Sequence, residues 1–291
     1  ITCRDWSSDV CSSDLIRQIF LAACVLLGTL LPAAAEESYT FSVVPQFERR
    51  MLFSIWQPIV DQLEKRTALQ LHLVTSLSVS DYESDVQKGQ YDFIYLNPYM
   101  MPVVAETPGY IPLVRDARPI HGILVVRKDR PLQKVSDLQG KTLAVPSMTA
   151  LGASLLLRAE LDRQFGVKTQ VIIAKTHSSV FLHVINGFAD AGGSVQKTLG
   201  EQDARIQGAL RILHRTAPMP SHPLAAHRRV PAEVREKIRQ AFIELASTNE
   251  GRALLEKVPM QSPVAAQIAD YDVLKSLQLN NYLEQDRKSV V

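Results

Sequence analysis

Cysteine is almost missing from this chain. Its three copies, Cys3, Cys11 and Cys24, all fall in the first 24 of 291 residues. The rest of the chain therefore has no disulfide, no thiolate metal site and no cysteine nucleophile, and it needs a core large enough to fold unaided. Aromatic residues make up only 7% of the sequence, and no stripe of Lys and Arg interleaved with aromatics occurs, so nucleic acid is not expected as a partner. The net charge of +2 favours no charged partner. There is no Gly-x-Ser-x-Gly, no phosphate-binding P-loop and no His-Glu-x-x-His. His183, His214, His222 and His227 lack the spacing of metal ligands. No catalytic set, metal or cofactor is expected, and an enzyme is the weakest of the functional readings.

Long hydrophobic runs are also absent, with one exception. Ile16–Leu31 is apolar, has Arg17 near its start and leads into Pro32-Ala33-Ala34-Ala35. This is the layout of a secretory signal peptide over 16–35, cleaved near Ala35, with the periplasm as destination. The run is short for a membrane span, which needs roughly 20 apolar residues. Leu21-Ala22-Ala23-Cys24 offers the alternative of a lipoprotein anchored at Cys24, but Val25–Leu31 stays apolar beyond it. Residues 1–15 are acidic where a signal peptide is basic, at Asp5, Asp9 and Asp14. Arg4–Leu15 resembles translated sequencing-adapter DNA, as does Asp286–Val291. Both ends, 1–15 and 286–291, are set aside from the fold.

Between these ends, strands and helices alternate, which predicts an α/β protein with largely parallel sheets. Tyr39–Val44, Leu69–Val74 and Tyr91–Leu96 read as strands, with helices over Ser54–Arg66 and Asp81–Lys88 between them. A second series follows. Gly122–Val126, Thr142–Val145, Thr169–Ala174 and Asp190–Gly193 read as strands, and Ala150–Phe165 and Ser179–Asn186 as helices. Helices are expected over Pro231–Ser247, Asn249–Lys257 and Val264–Leu277. Pro218, Pro220 and Pro223 cluster outside any helix and mark a crossing between two lobes. The lobes expected are 38–117 with 221–285, and 118–220.

Two strand–helix junctions carry candidate chemistry. At Val145-Pro146-Ser147-Met148-Thr149-Ala150, Ser147 or Thr149 can cap the following helix, and the N–H groups beyond them can face an anion. An ordinary N-cap explains the same residues. At Thr176-His177-Ser178-Ser179, His177 can donate to an anion and respond to pH, or be a plain surface or core-edge histidine. No Arg or Lys lies in these motifs, which leaves His177 as their one group able to turn cationic. Tyr95 ends a strand where open α/β sheets bind ligands, and packing explains it equally well.

The ordered motifs resemble the phosphate/phosphite/phosphonate-binding periplasmic proteins of ABC transporters. They include Val43-Val44-Pro45-Gln46, Trp56-Gln57-Pro58-Ile59, Tyr82-Glu83, Gly89-x-x-Asp92-Phe93 and Leu96-x-Pro98. Further on come Val125-Val126-Arg127-Lys128, Asp137-Leu138-x-Gly140-Lys141, Ser147-x-Thr149, His177-Ser178-Ser179-Val180 and Asn186-Gly187-x-Ala189-Asp190-Ala191. The resemblance spans about 39–260. It implies a two-lobed type II periplasmic binding fold, with two crossing strands and a cleft that closes on a small oxyanion. It places ligand contacts at Tyr82, Tyr95, Ser147, Thr149 and His177, with Ala150 at the helix start. Two departures stand out. Met148-Thr149-Ala150 replaces a Ser-Thr-Ser helix start, and Gly192–Lys197 lacks the acid that would meet the amine of an aminoalkylphosphonate. The implied partners are the ligand and an ABC permease, for a monomer. A sensory module that reports to a sensor kinase is the runner-up, and neighbouring genes separate the two.

Overall fold

The computed structural model describes residues 38–47, 49–258, 260–279 and 281–282. The proposed signal peptide, Cys24, the cleavage point and both excluded ends lie outside them. Eleven strands are described, named in chain order. They are β1 Ser38–Val43, β2 Gln70–Val74, β3 Phe93–Tyr95, β4 Tyr110–Asp116, β5 Gly122–Arg127, β6 Thr142–Val145, β7 Gln170–Ile173, β8 Ala191–Val195, β9 Leu210–Arg215, β10 Leu224–His227 and β11 Pro263–Ala265. They form two sheets, ordered β11-β4-β10-β3-β1-β2 and β7-β6-β8-β5-β9.

Each sheet begins as βαβ units. Helix Arg49–Thr67 buries Leu52, Ile55, Trp56, Ile59, Val60 and Leu63, an apolar stripe at helical spacing. That stripe covers the sheet in which β1 pairs parallel with both β2 and β3. In the second sheet β6 pairs parallel with β7 and β8. The remaining pairings are antiparallel, so the sheets are mixed rather than largely parallel. The crossings are the reason. β4 runs into the first crossing and β10 runs out of the second, so the two lie head to tail. The same holds for β5 and β9. Where the chain crosses, Ile120 and Met219 exchange backbone hydrogen bonds of 2.9 and 3.0 Å. This arrangement turns the carboxyl ends of β1, β3, β6 and β8 toward the crossings.

Two helices differ from expectation. Val264–Leu277 is not one helix. Pro263–Ala265 adds β11 to the outer edge of β4, a 3₁₀ turn spans Ile268–Tyr271, and only Asp272–Ser276 is α-helical. Proline is tolerated in such an edge strand, where its missing N–H costs no ladder bond. The helix expected over Ala150–Phe165 opens as a π-helical turn, Leu151–Leu155, and becomes α-helical at Leu156. The turn lies directly on the second sheet. The carbonyl oxygen of Ala153 is 2.0 Å from where a Cβ on Gly193 would stand, and that of Gly152 is 2.0 Å from the same point on Gly122. Only glycine admits the contact. Leu151, Leu155, Leu156 and Ala159 then pack into the core of the first sheet. One helix start is thereby pinned between both sheets.

Candidate functional site

A cavity of about 450 Å³ opens where the strand ends meet the crossings. The first sheet contributes Val44–Phe47, which follow β1, and Asn97, which follows β3. The second contributes Pro146, Ser147, Thr149 and Ala150 after β6, His177 after β7, Val195 at the end of β8 and Gln196–Thr198 after it. Ile120, His121 and His222 come from the crossings. Open α/β sheets bind ligands at such carboxyl ends.

Four of the six predicted residues line this cavity. Ser147 Oγ accepts the N–H of Ala150 at 3.1 Å and lies 3.4 Å from Thr149 Oγ1. Either hydroxyl can donate in that long contact. Ala150 offers its carbonyl to the N–H groups of Ser154 and Leu155, at 2.9 and 3.0 Å. The N–H groups that open a helix have no acceptor within it, and they carry the positive end of its dipole. Thr149 is held from the first sheet. Its carbonyl accepts Asn97 Nδ2 at 2.7 Å, and its side chain hydrogen-bonds the carboxyl of Glu83, whose pKa burial raises. His177 starts the helix His177–Ile185, which Thr176 caps at the N–H of Ser179. Its Nδ1 lies 2.9 Å from Ser194 Oγ.

Tyr82 and Tyr95 do not line the cavity. Both are fully buried, and the Tyr82 hydroxyl donates to the Tyr95 carbonyl at 2.9 Å. Tyr82 therefore braces the end of β3. The Tyr95 ring stacks on His222 at 5.5 Å and packs against Trp56 at 4.7 Å. Its hydroxyl has no partner among the described residues. Volume explains both positions, because the aromatic bodies fill the core behind the cavity wall.

His177 is also not the site's one source of positive charge. Burial lowers its pKa to about 4 and lowers that of His222 to about 4, so both are neutral near pH 7. Positive charge comes instead from Arg118, Lys175, Lys197 and Lys257. Arg118 pairs with Asp116 at 3.0 Å. Lys197 reaches Glu201 at 3.6 Å and donates to the carbonyls of Glu256 and Val258. His222 and Asn97 have no local sequence signal, because long-range pairing alone brings them here, whereas Gln46 closes the Val43–Gln46 motif. Gln46 Nε2 lies 3.1 Å from His222 Nε2. Among the described residues, no group of three or more His, Cys, Asp or Glu side chains gathers as a metal site would.

Comparison with known proteins bears on the family and the fold. Residues 41–271 match the family described as "ABC transporter, phosphonate, periplasmic substrate-binding protein". The phosphonates-binding periplasmic protein of Escherichia coli K12 is 20% identical over 277 residues, covering 85% of this chain and 79% of that protein. A binding-protein component of an ABC phosphonate transporter from Pseudomonas aeruginosa superposes with a TM-score of 0.73 at 13% identity, covering 84% of this chain and 86% of that one. PhnD1 of Prochlorococcus marinus, solved with methylphosphonate, superposes with a TM-score of 0.74 at 12% identity, covering 83% and 97%. These structures share the two-lobed type II fold. The chain belongs to the family of periplasmic substrate-binding proteins of phosphonate ABC transporters.

Proposed function

We propose that the chain captures a small oxyanion of the phosphate, phosphite or phosphonate class in the cavity between its sheets and delivers it to an ABC permease. The observation that carries this reading is the Ser147–Ala150 turn. It sets two hydroxyls and the start of a helix into a cavity that also holds lysine and arginine. A helix start of this kind favours anions. Ser147, Thr149, Ala150 and His177 are the proposed contacts. The lobes are taken as 38–117 with 221–285, and 118–220, hinged where Ile120 meets Met219. The protein works as a monomer, exported with cleavage near Ala35, and catalyses no reaction.

The acid missing from Gly192–Lys197 fits this reading. A Cβ on Gly192 would come within 2.7 Å of Val180 Cγ1, and one on Gly193 within 2.0 Å of the Ala153 carbonyl. No carboxylate fits at either position, and the two carboxylates that do line the cavity, Asp116 and Glu201, are paired with Arg118 and Lys197, so the proposed ligands are oxyanions without an amine. A thermal-shift panel tests the proposal, since a ligand bound only by the folded state stabilises it by about 2.7 kcal/mol at 100 times Kd. Phosphate, phosphite or methylphosphonate should raise the melting temperature and acetate should not. No shift with any of the three would reject it.

A further inference from the structure

His177 sits in a chain of hydroxyls whose proton positions are determined. Thr198 Oγ1 donates to the carbonyl of Val195 at 2.8 Å. A threonine hydroxyl has one proton, so Thr198 can only accept from Ser194 Oγ, 2.9 Å away. Ser194 is fully buried and has then spent its own proton. Ser194 Oγ must accept from His177 Nδ1 at 2.9 Å. In the neutral ring this fixes the proton on Nδ1 and leaves Nε2 a bare lone pair. Among the described residues no partner takes that Nε2, and His177 lines the cavity.

We propose that His177 meets the ligand as a hydrogen-bond acceptor, so that the cleft selects an oxyanion that still carries a proton: the monoanion of a phosphonate, phosphite or phosphate. This rests on the oxyanion reading above and assigns the protonation state of its ligand. The low pKa of His177, about 4 through burial, removes the imidazolium that would otherwise turn Nε2 into a donor.

The charges around His177 make the selection testable. Lys175 precedes it on its own loop. Lys197 and Glu201 come from the segment after β8, and Asp116 and Arg118 from the first crossing. Lys257 follows the helix Asn249–Leu255. Two imidazoles share the cavity, His222 beside Gln46 and His121, whose Nδ1 lies 3.2 Å from the Thr216 carbonyl. Positive charge alone would favour the dianion. An accepting His177 opposes it, because a dianion sets lone pair against lone pair.

Titration calorimetry with methylphosphonate from about pH 5.5 to 8.5 separates the two, since an ordinary histidine and the ligand's second ionisation both fall within that range. Above the second pKa of the ligand, wild-type affinity should fall about tenfold per pH unit, the signature of one required proton. Affinity that is flat or rises there would overturn the proposal. Thr198→Val removes the last acceptor of the chain and frees Ser194 to donate to Nδ1, which moves the ring proton to Nε2. Its profile should reverse and favour the dianion, and an unchanged profile would overturn the proposal. Nitrogen NMR of ¹⁵N-histidine-labelled wild-type protein needs no variant to fold. An Nδ1–H tautomer at His177 supports the proposal, and an Nε2–H tautomer overturns it. If methylphosphonate, phosphite and phosphate all fail to bind at every pH, the oxyanion reading falls and this inference falls with it.

Discussion

Asn97 Nδ2 donates to the carbonyl of Thr149 over 2.7 Å, tying the end of β3 to the loop after β6. The bond runs from one sheet's edge of the cavity to the other's. It holds the Ser147–Ala150 loop against the first sheet, and Glu83 grips the same residue through its side chain. A net hydrogen bond is worth about 0.5–1.5 kcal/mol. Asn97→Ala should therefore weaken methylphosphonate binding about two- to twelvefold in calorimetry. Unchanged affinity in a folded variant would show that the loop keeps its place without Asn97.

Gly193→Ala should destabilise the protein without touching ligand. The new methyl group meets the Ala153 carbonyl at 2.0 Å, and backbone rather than a flexible side chain must give way. Overpacking of this kind costs about 1–3 kcal/mol, which corresponds to a melting temperature lower by roughly 2–12 °C. Thermal unfolding by circular dichroism reads this directly. A variant that melts with wild type would mean the π-helical turn can lift off the sheet.

Tyr82→Phe distinguishes bracing from binding. It removes the hydrogen bond to the Tyr95 carbonyl and leaves the ring. Stability should drop by about 0.5–1.5 kcal/mol while ligand affinity stays the same. A tenfold loss of affinity at unchanged stability would return Tyr82 to the ligand.

Local sequence carried the strand ends and the helix start, because these follow from apolar periodicity and from the Ser147 turn. It carried Ser147, Thr149 and His177 into the cavity for the same reason. It did not carry the mixed strand directions, which depend on where the crossings enter each sheet. Nor did it show β11, since Val264–Leu277 has helical spacing and only the open edge of β4 makes Pro263–Ala265 a strand. The resemblance places ligand contacts at Tyr82, on a helix, and at Tyr95, at a strand end, and no local signal tells a hydroxyl whose ring fills the core from one that faces a ligand. His222 and Asn97 were silent, being joined to the site only by folding.

Acid should weaken the fold through His177 and His222. Both are held neutral by burial down to about pH 4, whereas in the unfolded chain they protonate near the ordinary value of 6.5. Between those values the unfolded state binds more protons, so stability rises with pH and falls as the solution is acidified from about 6.5 toward 4. Urea unfolding of wild type and of His177→Gln/His222→Gln across this window should show a flatter pH dependence in the double variant. Parallel curves would mean that other groups set the acid limit.

Titration calorimetry of methylphosphonate into wild type and Ser147→Ala at one mildly acidic pH tests the central claim most directly. Ser147 places its hydroxyl at the mouth of the helix, and a hydrogen bond to a charged group is worth about 1.5–3 kcal/mol. Wild type should bind one equivalent, and Ser147→Ala, with its far-ultraviolet spectrum intact, should bind roughly 10- to 150-fold more weakly. Equal affinity in the two proteins would contradict the account and place the oxyanion elsewhere.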